Sequence, residues 1–366
     1  MKIKSKYGFG IVGCGMIGNY HAQAIHAMKG GELKCVFDIR NENAEKLALA
    51  YGVESYSDIK RFLSHPGLDV VTIGTPSGLH LEPTLQAAEA GKHVICEKPL
   101  EVTLERIDKM IKVCKKNGVV LAGVHPRRFF ESVKTFKRAI EKKRLGKITM
   151  ADAYIKWFRT QQYYDSGDWR GTWKFDGGGA LMNQSIHTID QLYHLVGDVK
   201  SVCAYASQIA HKRIEVEDIA VAILKFKNGA MGVIEGSTSC FSELGHGAEV
   251  HVCGTEGSIF MKDNSFKVWD FKKKLPSDKK IIEKYGEKVG AVGVGAADPN
   301  AISYVDHQKV FENTIQSIKR GTEPAINGKE ARKSVEIILA IYQSALAGGK
   351  EVKLPLKKTP VRKVTK

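Results

Sequence analysis

Gly13, Gly15 and Gly18 stand in the pattern Gly-x-Gly-x-x-Gly, just after an apolar run with Phe9, Ile11 and Val12 and just before a helix-like run over residues 19–28. Between a strand and a helix, such a loop lets the backbone approach a pyrophosphate and aims helix N–H groups at it. A second apolar run, residues 33–37, ends in Asp38, twenty residues after the last glycine. A carboxylate at that distance accepts hydrogen bonds from ribose hydroxyls and repels a 2′-phosphate. That points to NAD rather than NADP, with Arg40 as a neighbour able to accommodate the extra phosphate. Much later, His187 follows Asn183 by four residues, so on a helix the two share one face. An imidazole with its ordinary pKa of about 6.5 suits proton exchange near neutrality, and an amide can both donate to and accept from a hydroxyl. Lys98, in Glu97-Lys98-Pro99, reads equally as a surface lysine or as an ammonium for a developing alkoxide.

The elements that must carry these residues alternate in the first third of the chain. Helical runs at 44–51, 59–62, 81–90 and 104–116 are interleaved with apolar strands at 69–73, 93–96 and 119–122. That order predicts an α/β doubly wound parallel sheet of the Rossmann type. Ligands of such sheets bind beyond the carboxyl ends of the strands. Three loops fall there: Gly13 to Gly18 with Met16 and Ile17, Gly74 to His80 with Thr75 and Pro76, and Glu97-Lys98-Pro99. Past Gly146 the strand-like runs lengthen, at 148–158, 199–206, 218–226, 230–237, 249–253 and 258–261. Asn228-Gly229 is a strong hairpin turn between two of them. Residues 272–300 are polar and rich in glycine and alanine, which predicts a long loop, and 304–320 and 331–348 read as helices. The predicted division is a cofactor domain at 1–123, an α+β substrate and oligomerisation domain at 124–352, and a basic tail at 353–366.

Taken together, the glycine loop, Thr75-Pro76 with His80, Glu97-Lys98-Pro99, His125-Pro126-Arg127-Arg128-Phe129, Trp169-Arg170-Gly171 and the run from Asn183 to Asp190 resemble one family. It is the glucose–fructose oxidoreductase, inositol dehydrogenase and rhizopine-catabolism (Gfo/Idh/MocA) family, and the resemblance covers nearly the whole chain. It implies a second domain built on a large open, mostly antiparallel sheet, commonly covered by another subunit, hence a homodimer or homotetramer. It further implies an NAD-dependent dehydrogenase in which Lys98 polarises a secondary hydroxyl, His187 is the general base and Glu97 orients the lysine or the cofactor. Arg128, Trp169 and Arg170 match positions at the cofactor, while Arg127, Arg159, Tyr163, Tyr164, Trp173 and His307 are candidates for a sugar pocket. Asn183 departs from the inositol dehydrogenases, where an aspartate pairs with the histidine; here His187 acts with Lys98 alone or is positioned by Asp190, three residues on. The glycine triplet 177–179 opens the entrance of that helix to a close backbone approach. Arg159, Tyr163-Tyr164 and Trp169 to Trp173 resemble the branch that oxidises position 3 of UDP-N-acetylglucosaminuronate. An inositol or free-sugar dehydrogenase, a keto-sugar reductase and a non-catalytic NAD-binding regulator are the alternatives.

Bulk properties exclude other classes. Hydrophobic residues are 43% and charged residues 26% of 366, an ordinary globular balance with no apolar run long enough to span a bilayer. The first residues lack the apolar stretch of a secretory signal, which points to the cytoplasm. Seven scattered cysteines without a Cys-x-x-Cys pair read as reduced thiols, neither a disulfide framework nor a metal site. The formal charge of +16 lies partly in the tail and partly on amphipathic helices such as 134–144. Without an aromatic-interleaved basic stripe it argues against nucleic acid and for attraction of anionic substrates.

Overall fold

The computed structural model describes residues 4–287 and 303–360. The chain divides into two compact units, one of Met1–Pro126 with Ser303–Arg332, the other of Arg127–Ile302 with Lys333–Lys366. The expected single cut after residue 123 is therefore replaced by a discontinuous division. Residues 303–332, expected in the second domain, belong with the first.

In the first unit, strands β1 (Tyr7–Val12), β2 (Gly31–Phe37), β3 (Glu54–Tyr56), β4 (Leu68–Ile73), β5 (His93–Cys96) and β6 (Leu121–Gly123) form one sheet in the order β3-β2-β1-β4-β5-β6. All five pairings are parallel. β1 is buried along its whole length, as a central strand covered on both faces must be. Helix α1 (Met16–Ala27) leaves the glycine loop after β1; α2 (Asn41–Tyr51), α3 (Ile59–Leu63), α4 (Leu81–Glu89) and α5 (Leu104–Lys116) make the crossovers. β3 is the strand that the hydrophobic pattern does not reveal, being three residues long and half exposed.

The second unit carries α6 (Glu131–Glu141), β7 (Ile148–Lys156), α7 (Gln161–Asp165), α8 (Ile186–Val196), β8 (Val199–Ser207), β9 (Ile219–Phe226), β10 (Met231–Ser237), β11 (Glu249–Gly254), β12 (Gly257–Lys262), β13 (Ser265–Phe271) and α9 (Pro276–Tyr285). Helix α10 (Tyr304–Arg320) belongs to the first unit; α11 (Gly328–Leu346) begins there and continues into the second, and β14 (Val352–Lys353) closes the second unit. The eight strands run β13-β12-β11-β7-β10-β9-β8-β14, antiparallel except for β10 on β7.

One face of this sheet packs inward through Ala220, Ala222 and Leu224, while Val221 and Ile223 alternate outward with Tyr205 and Met231 of the neighbouring strands. This leaves an exposed apolar stripe, an arrangement that marks an interaction surface more often than plain solvent contact.

Two expectations are corrected here. Residues 272–300 are not one long loop, because α9 occupies Pro276–Tyr285. Asp278 accepts the Leu275 N–H at 2.7 Å and the Trp269 indole N–H at 2.9 Å, and pairs with Arg144. The rest of that predicted loop lies outside the described residues. The tail is not free from residue 353 either: Val352 pairs with Val202, and buried Leu356 donates its N–H to Glu336 at 2.9 Å. Among the described residues no helix is long and apolar enough to cross a membrane.

Candidate functional site

The loop after β1 is built for a close ligand. Gly13 has φ +94, and a Cβ there would come within 2.9 Å of the Gly74 backbone. At Gly18 a Cβ would meet the Gly13 carbonyl at 2.2 Å, so helix α1 can start only if that position is glycine. A Cβ at Gly15 would meet nothing within 4 Å. This glycine faces open space at the start of α1, where a pyrophosphate fits against the helix N–H groups. Exposed Met16 begins the helix, and half-buried Ile17 packs against Gly74.

Asp38 holds this loop from the next strand: one carboxylate oxygen accepts the Cys14 N–H and the other the Arg40 N–H, both at 2.9 Å. Each oxygen keeps a lone pair for a ribose hydroxyl. The Arg40 side chain is exposed. Burial, and next the charge of Asp38, push the Cys14 thiol up to about 12, so it stays protonated beside the loop.

The other two loops are fastened to one another. Buried His80 places Nε2 2.9 Å from the Thr75 carbonyl and Nδ1 3.0 Å from the Pro99 carbonyl. It thus ties the Thr75-Pro76 turn to the loop of Lys98. Thr75 Oγ1 in turn donates to the Leu79 carbonyl. Expected at the cofactor, His80 is a clamp between cofactor-side loops.

Lys98 is half-buried, and its backbone N–H donates to Glu97 Oε2 at 3.0 Å. The other oxygen, Glu97 Oε1, accepts from His21 Nε2 at 3.2 Å and from His307 Nε2 at 3.0 Å. Burial alone would raise the Glu97 carboxyl, but hydrogen bonds from these two histidines outweigh it and hold it well below the usual range. His307, expected in the sugar pocket, is therefore buried in the first unit on Glu97. The three ligand-type atoms of His21, Glu97 and His307 lie within 4.8 Å of one another. Hydrogen bonding accounts for that closeness.

The second unit gathers a polar chain of its own. Asn183 lies in a single π turn, Ala180–Ser185, and half-buried His187 in the first turn of α8 behind it. Asn183 Nδ2 donates to Asp176, and its Oδ1 accepts from Gln184 Nε2 at 2.9 Å. Gln184 also donates to the Tyr163 hydroxyl at 2.8 Å and accepts from Arg159 at 2.9 Å. Arg170 donates to the same Tyr163 hydroxyl at 2.6 Å and lies over the rings of Tyr163 and Trp169.

Arg159, Tyr163, Arg170, Trp169 and Asn183 are thus brought together. Gln184 and Asp176, which join them, carry no signal in the sequence beyond their nearness to Asn183. Asp176 supplies a buried carboxylate one step behind the amide.

Other expected pocket residues fall elsewhere. Tyr164 is buried against Ile214 and Val216 and bonds to Thr238 at 2.8 Å, so it belongs to the core. Trp173 packs against that cluster and meets Tyr342 edge-on at 5.3 Å. Arg127 reaches Thr188 at 3.1 Å. Arg128, expected at the cofactor, forms a buried two-pronged ion pair with Asp190 at 2.8 and 2.7 Å. Both carboxylate oxygens of Asp190, expected to position His187, therefore receive Arg128.

The π turn is held from beneath. Buried Glu217 accepts the Gly179 N–H at 3.0 Å and the Leu181 N–H and Tyr342 hydroxyl at 2.8 Å each. Burial pushes its carboxyl up to about 7 against these three donors. A Cβ at Gly179 would lie 1.9 Å from the Glu217 carbonyl, and one at Gly178, whose φ is +158, would lie 2.1 Å from the Tyr342 hydroxyl. The triplet therefore lets the chain pass over Glu217 and Tyr342.

Comparison with known proteins agrees with both units. Residues 7–125 match the model of the oxidoreductase family with an NAD-binding Rossmann fold, and residues 133–260 match the GFO/IDH/MocA C-terminal domain. The chain belongs to the Gfo/Idh/MocA family. It is 28% identical to myo-inositol 2-dehydrogenase of Thermotoga maritima over 348 residues, 92% of this chain and 95% of that one. It is 33% identical to the NAD+-dependent scyllo-inositol 2-dehydrogenase of Bacillus subtilis over 257 residues, 69% of this chain and 72% of that one. The structure of the WlbA dehydrogenase of Bordetella pertussis, in complex with NADH and UDP-GlcNAcA, superposes with a TM-score of 0.87. Its identity is 33%, covering 98% of this chain and 100% of that one. The protein is accordingly an NAD-dependent oxidoreductase, and the open cradle at Gly15 with Asp38 beside it fits that cofactor.

Proposed function

We propose that this family member oxidises the 3-hydroxyl of a UDP-linked N-acetylated glucuronate. The observation that carries this reading is the pair of guanidiniums, Arg159 and Arg170, converging on Tyr163. Burial pulls Arg159 down from its ordinary value, yet a guanidinium stays charged at any working pH. Two guanidiniums on one phenol outnumber the single carboxylate of Asp176 beside it, so the patch is positive and suits a uronate carboxylate or a diphosphate. The likeness to WlbA, whose structure contains UDP-GlcNAcA, supports the same substrate class.

The loops of Gly13 to Gly18, Asp38, Thr75 and Pro76 would hold NAD, which when bound would supply the acceptor for the hydride of the substrate carbon. By resemblance to the family, Lys98 stabilises the oxygen as it becomes an alkoxide and His187 receives the hydroxyl proton, while Asn183, with Asp176 behind it, orients the hydroxyl. The products are a 3-keto sugar, NADH and a proton.

Steady-state assays with NAD+ test the assignment against UDP-GlcNAcA, UDP-GlcNAc, myo-inositol and levoglucosan. The uronate should exceed the uncharged UDP-GlcNAc in kcat/KM by roughly tenfold or more, the worth of one charge-assisted hydrogen bond. A preference for inositol would refute the assignment and leave the dehydrogenase class standing.

We also propose that the outward stripe of Tyr205, Val221, Ile223 and Met231 is covered in a homodimer or homotetramer. Equilibrium sedimentation should show an oligomer that I223K dissociates; a native monomer at micromolar concentration removes this part of the reading.

A further inference from the structure

The polar cluster around Glu97 is drawn from three distant parts of the first unit. Glu97 follows β5; His21 projects from α1, behind the glycine loop; His307 comes from α10, 210 residues further along the chain. All three are buried. Phe311, Val310 and Ile315 seat α10, with Phe311 stacked on Phe9 at 6.0 Å and edge-on to His21 at 5.2 Å. Burial of these three apolar side chains seats the helix without any polar contact. The hydrogen bond from His307 is therefore not needed merely to hold α10 in place.

Hydrogen-bond accounting fixes the direction of the contacts. Glu97 Oε2 accepts the Lys98 N–H, so the carboxylate has one oxygen turned to the catalytic loop and one turned to the histidines. His21 Nδ1 lies 3.1 Å from the Thr72 hydroxyl, which can donate to it and leave Nε2–H for Glu97. His307 Nδ1 is buried and has no partner, so its ring proton belongs on Nε2, facing Glu97.

We propose that His307 and His21 are positioning residues of the dehydrogenase: by donating together to Glu97 they keep its carboxylate ionised and locked on the Lys98 N–H, tying helix α1 of the cofactor loop to the catalytic lysine. The inference rests on the reading of Lys98 as catalytic. The other titratable groups beside the cluster are Tyr20, stacked on His307 at 6.5 Å, His80 and Cys96. Burial and the charge of Glu97 push the Cys96 thiol well up, so it remains neutral, and burial lowers His21, which favours the uncharged donor. Removing a donor from an ionised carboxylate raises the pH at which it takes up a proton. Glu97 itself, rather than the general base His187, is then the group whose protonation reports the loss of the donor.

The test compares full-length wild type, H307L and H307Q, whose amide can still donate to Glu97. Turnover is read with whichever alcohol of the panel above the wild type oxidises; NADH affinity is read separately by fluorescence and needs no sugar. H307L should lower kcat about tenfold or more, as a small displacement of a catalytic group does. The pH at which the Glu97 carboxylate takes up its proton, read from its infrared carboxylate band by difference against E97Q over an acid titration, should move up by about one pH unit. H307Q should restore both. A Glu97 band that titrates at the wild-type pH in H307L overturns the proposal whatever happens to kcat, because a packing defect alone would not move it. If H307L does not fold, E97Q carries the test: kcat should fall, and an unchanged kcat and pH profile overturns the proposal. One equivalent of zinc in the purified wild type, with activity lost on chelation, overturns it in favour of a metal site. Intact NADH binding with no turnover of any sugar by the wild type would fault the Lys98 reading on which this one rests.

Discussion

Lys98→Met should lower kcat by roughly three orders of magnitude while leaving the NADH dissociation constant within about threefold. Methionine keeps the length of the side chain and removes its ammonium, so packing changes little and the charge that offsets a developing alkoxide disappears. Removing one preorganised electrostatic donor costs about 10²–10³ in kcat, and the same ammonium also helps the hydroxyl to lose its proton. The neighbouring fixtures stay: Glu97 still accepts the N–H of residue 98, and His80 still joins the Thr75 and Pro99 carbonyls. Binding of NADH, which depends on the glycine loop and Asp38, should therefore survive. Stopped-flow measurement of NADH formation separates the chemical step from product release. A wild-type rate in this variant would sink the assignment of Lys98, and with it the reading of the chain as a catalyst of this type.

The parts of this arrangement legible in the sequence are those made by neighbours in the chain. The glycine loop, Asp38 and the strand endings at Ile73 and Cys96 lie within short windows whose patterns follow from local backbone geometry. The wide second sheet was legible from strand length and from Asn228-Gly229, which turns between β9 and β10. What escaped depends on contacts between distant residues. Nothing local marks His307 as the partner of Glu97, or Glu217 as the anchor of the π turn, since each relation is set by packing. Asn183 shows the same limit. Its departure from an aspartate is visible in the sequence, but the carboxylate it leans on, Asp176, is seven residues away outside the helix and is brought to it by packing. Strand β13 is not legible in the sequence, because Phe266, Val268, Trp269 and Phe271 break strict alternation and a register shift lies opposite.

Arg128 offers the sharpest contrast between a motif match and a packed structure, and its replacement should have the largest effect on stability. The guanidinium and the Asp190 carboxylate are 5% and 1% exposed and meet through two parallel hydrogen bonds, with Arg128 also over the Tyr193 ring at 5.7 Å. In R128M the carboxylate stays buried without its cation, a loss that typically costs 3–5 kcal/mol, or about that much off the unfolding free energy here. In R128M/D190L both charges are gone, and the cost should shrink well below the sum of the two single changes, because the desolvation penalty goes with them. Denaturant unfolding of wild type, both single variants and the double variant reads this coupling directly. The same proteins decide the role that the motif suggested for Arg128. If it serves packing, folded R128M binds NADH with near wild-type affinity at low temperature while unfolding at much lower denaturant. A variant with undiminished stability and NADH binding weakened tenfold would return Arg128 to the cofactor and make the ion pair incidental. The geometry favours packing, since a guanidinium 5% exposed, with Nε and Nη2 both turned to a buried carboxylate, presents almost no surface to a ligand.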